Sequence, residues 1–139
     1  MSSKIIFQNS DGGVSVIHPA PGCGLSIEQI AAKDVPQGAA FQIIDASALP
    51  EDRVFRDAWE LRSGVVVEDH QKAAQVAHHI RRKKRSAEFA PLDKKMLIPA
   101  EAASAESARE KVREKYAKLQ NEIDAAPDID ALRDITKSL

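Results

Sequence analysis

Apolar positions along this chain change character near Asp69. Before it they fall in short, strand-length clusters, and after it they recur at helical spacing. Lys4–Asn9, with Ile5, Ile6 and Phe7, predicts a strand. Ser10-Asp11-Gly12-Gly13 predicts a hairpin turn, because Asp-Gly and Gly-Gly tolerate positive φ, and Val14–His18 returns as the second strand. Two prolines and two glycines over Pro19–Gly24 force a loop. Ser26 and Gln29 form a capping box, with Leu25 and Ile30 spaced as a hydrophobic staple, so a short helix runs over about Ile27–Lys33 and Pro36 closes it. Phe41–Asp45 predicts a third strand. Val54–Arg62 and Val65–Glu68 predict a second hairpin around Ser63-Gly64. Trp59 and Phe55 read as a core pair.

From Asp69, a candidate N-cap, Ala73, Val76, Ala77 and Ile80 mark one face of a helix that stops before Pro91. Leu92–Pro99 reads as an elbow with buried anchors at Leu92, Met96, Leu97 and Ile98. Ala105, Ala108, Val112, Tyr116, Leu119 and Ile123 then form a sustained apolar seam. On its outer side Glu106 pairs with Arg109, Glu110 with Arg113 and Glu114 with Lys118. Pro127-Asp128 breaks and recaps, and Ile129, Leu132, Ile135 and Leu139 line a last short helix. The fold class is therefore α+β. A ββαβββ module over residues 1–68 is expected to bind a partner. A helical arm over 69–139 follows, a helical hairpin or coiled-coil-like arm with a basic segment at 78–85 and an elbow at 90–100.

Composition bears on what completes this core. Apolar residues make up 43% but aromatics only 4%, and Ala fills much of the apolar share. Small side chains bury little area each, so the core is expected to be thin and to lean on a partner or on self-association. One short helix covers one face of a small sheet. Three consecutive valines, Val65, Val66 and Val67, present side chains to both faces of a strand. That strand is expected to meet a partner chain or the C-terminal helices, with Val66 the contact to test. The seam residues Val112, Tyr116, Leu119 and Ile123 are likewise expected to pack on another helix or a second copy.

Charge adds a second candidate surface. Residues 1–69 hold 5 Lys/Arg against 10 Asp/Glu, residues 70–100 hold 8 against 2, and residues 101–139 hold 7 against 9. The basic block centres on Arg81, Arg82, Lys83, Lys84 and Arg85, following His78 and His79. Such sorting points to an acidic partner: a protein surface, nucleic acid, or the chain's own acidic segments. Five consecutive cations encircle a helix and cannot all face one partner. No aromatic residue interleaves with them as a stacking platform for bases.

Other chemistry finds little support. His78 and His79 are adjacent and point to different faces, and His70 lies about two turns from His78. No Cys-x-x-Cys occurs, whereas zinc needs about four converging ligands. Cys23 is the one cysteine, which excludes an internal disulfide; His18 is the base that could pair with it, but no helix cation or positioned base is evident. Gly12-Gly13 and Gly22-x-Gly24 lack phosphate-loop spacing. No metal, cofactor or catalytic residue is expected. No apolar run approaches the roughly 20 residues that span a bilayer, and Gln8-Asn9-Ser10-Asp11 interrupts any signal core. A soluble, cytosolically made chain without membrane contact is therefore expected.

Three stretches carry a resemblance. Ile17-His18-Pro19-Ala20-Pro21-Gly22-Cys23-Gly24, with Ser26-Ile27-Glu28 and Asp34-Val35-Pro36-Gln37-Gly38, resembles the start of small tail-module proteins of tailed bacteriophages and prophages. Leu49–Glu60 is similar to the same proteins' LP-x-DR-x-F-R-x-AWE stretch. Glu88–Asp93 and Arg113–Ala126 are similar to their C-terminal helices. The basic run and the Lys94–Pro99 elbow depart from the unbroken helical hairpin common in those relatives. The resemblance implies a tail-associated structural or assembly role with no catalytic residues. It also implies partners among other tail or fibre proteins, a multi-copy or homo-oligomeric state, and residence in the host cytoplasm during assembly and then in the virion tail. Two alternatives stand beside it: a nucleic-acid-binding or packaging accessory protein using residues 81–85, and a tail-fibre assembly chaperone absent from the mature virion.

Overall fold

Two antiparallel sheets organise the N-terminal half in a computed structural model of the chain, which describes residues 2–139. Strands precede helices, so the fold is mixed α+β, and the chain divides into two units, Met1–Asp69 and His70–Leu139. The first contains β1 (Ser3–Gln8), β2 (Val14–Ile17), α1 (Ile27–Asp34), β3 (Phe41–Asp45), β4 (Trp59–Arg62) and β5 (Val65–Glu68). The strand order is β2-β1-β3 in one sheet, and β4-β5 form the other. β1 is central, with Ile5 opposite Ile17 and Ile43, and Ile6 opposite Val16 and Gln42.

Alternation along β1 splits its apolar residues between two small cores. Ile5 and Phe7 pack with Ile30, Ala31 and Val35 around α1. Ile6 points the other way and packs with Val14, Trp59 and Val66. The chain thus covers the second face of its three-stranded sheet with its own β4–β5 hairpin. This corrects the expectation for the valines. Val66 is 8% exposed inside the module's core, Val65 is 58% exposed, and Val67 is half-buried. Val66 is therefore not a surface for a partner, and only Val65 is presented.

The capping box forms as expected. The Gln29 amide N–H donates to Ser26 Oγ at 3.1 Å, and the Ser26 N–H donates to Gln29 Oε1 at 2.8 Å. Leu25, the outer half of the expected staple, remains exposed. The hairpin turn uses positive φ at both Ser63 and Gly64, the mirror-image turn that matches strand twist. The preceding strand is shorter than expected. Arg56–Ala58 forms a 3-10 turn and β4 starts only at Trp59. That turn brings Phe55, Ala58 and Trp59 all inward, which period-two alternation cannot do. Arg56 fixes it, because its guanidinium donates to the Val14 carbonyl at 2.5 Å and lies 4.4 Å from the Trp59 ring centre.

The second unit contains α2 (His70–Lys95), α3 (Ala102–Ala125) and α4 (Ile129–Lys137). Four contacts run antiparallel along α2 and α3. His70 Nε2 meets the Ala126 carbonyl at 3.0 Å and His78 Nε2 meets Asp124 at 2.8 Å. Lys115 meets Glu88 at 3.0 Å and Arg109 meets Asp93 at 3.0 Å. α4 folds back onto this hairpin, capped by Asp128, whose carboxylate accepts from the Ala131 N–H at 2.8 Å. Small residues let the helices approach. Ala73 and Ala77 are fully buried, with Ala105, Tyr116, Ile123 and Leu132 also buried.

Of the two covers expected for the seam, another helix or a second copy, the chain supplies the first: Tyr116 and Ile123 are buried, Val112 and Leu119 half-buried, in a unit that folds α2 and α4 against α3. The thin core is supplemented by a third helix within the same chain. The elbow is shorter than expected, because α2 continues through Pro91 to Lys95. An interior proline costs about 3 kcal/mol, and ion pairs link Glu88 and Asp93, on either side of it, to α3. The turn tip is exposed rather than anchored. Leu97 is 85% and Ile98 46% exposed, while Leu92 and Met96 are half-buried. Lys118 pairs with Glu122 at 3.9 Å in place of the expected Glu114.

Tyr116 gives this unit an alkaline limit. Burial first, and then the Glu88 carboxylate beside it, push the phenol up to about 12. Hydrogen bonding from Tyr116 and Lys115 holds Glu88 below the usual carboxylate range. A phenol whose pKa rises on folding favours the folded state below its ordinary value of 10.0, and that contribution is lost as pH climbs towards 12. We expect the helical unit to lose stability over this interval. Tyr116→Phe should cost about 1 kcal/mol at neutral pH and flatten the alkaline decline. Thermal denaturation of both proteins across the interval checks this, and an unchanged slope in the variant would remove Tyr116 as its cause.

Candidate docking surface on the helical unit

Residues 78–85 lie within α2, so successive side chains turn by about 100°. The hairpin divides the five cations by this geometry. Arg81 turns inward and is 7% exposed. Its Nε donates to His78 Nδ1 at 3.3 Å, which leaves His78 Nε2 to carry a proton toward Asp124. Burial lowers the Arg81 pKa, and the nearby charges of Arg82 and Arg85 lower it further. Arg85 lies over the Phe89 ring, 4.6 Å from its centre. Arg82, Lys83 and Lys84 remain exposed. Ion pairs within the unit instead engage Arg109, Arg113, Lys115 and Lys118. Two of the five cations are thus built into the helical unit, and three form a ridge.

Next to the ridge, an open depression of about 400 Å³ is lined by Arg85, Ser86, Phe89, Asp93, Arg109 and Arg113, together with Ala90. Arg109 lies 5.8 Å from the Phe89 ring centre. It also pairs with Asp93 at 3.0 Å and Glu106 at 2.7 Å. Arg113 pairs with Glu106 at 3.0 Å and Glu110 at 2.7 Å. Sequence reasoning found the Glu106–Arg109 and Glu110–Arg113 pairs but missed the depression. The i, i+4 spacing of Arg85 and Phe89 was its only local signal. The remainder depends on the antiparallel register of α2 and α3.

Cys23 is exposed, with its Sγ 3.8 Å from the Leu25 carbonyl. Among the described residues no three His, Cys, Asp or Glu side chains converge as a metal site, and no helix is long and apolar enough to cross a membrane. No family model, curated protein or solved structure matches the chain significantly.

Proposed function

We propose that this chain is a non-enzymatic, tail-associated phage protein, a structural or assembly component that works by docking on other tail or fibre proteins. The observation that carries the docking part is the ridge Arg82-Lys83-Lys84, exposed on α2 while Arg109, Arg113, Lys115 and Lys118 of α3 are engaged in ion pairs. A charged ridge on a rigid hairpin steers and orients an acidic partner more than it supplies affinity. The phage-tail part rests on the resemblance of residues 17–38, 49–60 and 113–126. The rival reading is phosphate contact by the same ridge. Binding of a DNA duplex, titrated with salt, separates the two. Docking on protein predicts DNA affinity no tighter than the non-specific range, about 10⁻⁵ M at physiological salt. Sub-micromolar affinity that disappears in Arg82→Gln/Lys83→Gln/Lys84→Gln would overturn the proposal in favour of nucleic-acid binding.

A further inference from the structure

Arg85 is the odd member of the α2–α3 depression. Its guanidinium is held on Phe89, yet no carboxylate pairs with it among the described residues. Arg109 and Arg113, in the same depression, share three carboxylates between them, Asp93, Glu106 and Glu110. An arginine stacked on an aromatic ring has its fork oriented in advance, so little side-chain freedom remains to be lost when it is engaged. Arg81 and Arg82 lie close on the same helix, and both Arg82 and Arg85 disfavour the charge of Arg81.

Two features define what fits. The depression is open, and its lining mixes Phe89 and Ala90 with Ser86 and charged side chains. Asp93 is also in the lining, and Glu106 and Glu110 pair with its Arg109 and Arg113. A run of phosphates laid across it would meet these carboxylates, whereas one carboxylate could reach Arg85 without approaching them. We infer that the Arg85–Phe89 depression receives a single Asp or Glu side chain from an acidic segment of a partner protein, with the Arg85 guanidinium donating a bidentate pair of hydrogen bonds to that carboxylate. This rests on the docking reading and names its partner chemistry: an acidic residue next to a small or apolar one.

The test uses the full, isotope-labelled chain and follows the arginine Nε–Hε resonances. The probe is the peptide acetyl-Glu-Leu-Glu-Ala-Glu-amide, with its Gln counterpart, inorganic phosphate and a short DNA duplex as comparisons. The acidic peptide should shift Arg85 most, saturably, and the Gln peptide should not. Arg85→Gln should weaken binding about tenfold. Arg85→Lys should weaken it nearly as much, since the charge stays but the fork is lost. Lys83→Gln should leave it within about twofold. If Arg85→Gln does not fold, Arg85→Lys carries the comparison. Equal shifts at Arg81, Arg82 and Arg85, stronger binding by phosphate or DNA, or an Arg85 variant that binds normally by the shifts of Arg109 and Arg113 would each overturn the inference. None of these results bears on whether the chain joins tail assemblies, so the docking reading is tested separately.

Discussion

Ile123→Ala should lower the stability of the helical unit by about 2–4 kcal/mol, with no dependence on protein concentration. Ile123 is 1% exposed on α3, in the register that places His78 against Asp124 and His70 against the Ala126 carbonyl. Removing the outer carbons of a fully buried isoleucine loses their transfer energy and leaves a cavity. Small residues line α2, where Ala73 and Ala77 are fully buried, so few flexible side chains are available to fill that space. Chemical denaturation followed by helical circular dichroism measures the loss, and dilution distinguishes the two meanings of the seam. A seam that pairs two copies gives a midpoint that falls on dilution. A seam closed within one chain gives a constant midpoint. Resonances of the first unit should stay dispersed at denaturant concentrations where the variant's helices have melted.

Val66→Lys should unfold the N-terminal module, while the neighbouring Val65→Lys should change stability by no more than about 0.5 kcal/mol. The two residues point to opposite faces of β5. Val66 lies among Ile6, Val14 and Trp59, and Val65 is 58% exposed. An ammonium placed in a core of four buried apolar residues has no partner to offset its desolvation, a cost of several kcal/mol. Loss of amide dispersion for residues 3–68 in the Val66 variant alone is the expected result. Dispersed spectra for both variants would mean that the hairpin does not close the second core.

The contrast between neighbouring valines shows where sequence reasoning reached and where it stopped. Capping, turn chemistry and periodicity are local, and they located the Ser26 box, the Ser63-Gly64 turn, the Asp128 cap and the seam positions. What covers an apolar face is a long-range matter. The Val65–Val67 run signalled a two-faced strand correctly, but not that Ile6 and Trp59 stood ready to cover Val66. The seam signalled a helical partner, but not that α2 and α4 would supply it. Pro91 looked like a stop because proline acts locally, whereas the packing of α2 against α3 and α4 comes from far along the chain. The basic run was plain in sequence. Its division into a buried Arg81, a stacked Arg85 and an exposed ridge appears only with the helix register and α3 in place.

Purified intact phage particles and tail-assembly intermediates, probed quantitatively for this chain, test the docking proposal most directly. The expected result is the chain at a fixed copy number per assembly, in the mature tail or on its intermediates, and strong depletion of the Arg82→Gln/Lys83→Gln/Lys84→Gln variant. Absence of the chain from both fractions, or incorporation of that variant at the normal level, would contradict it.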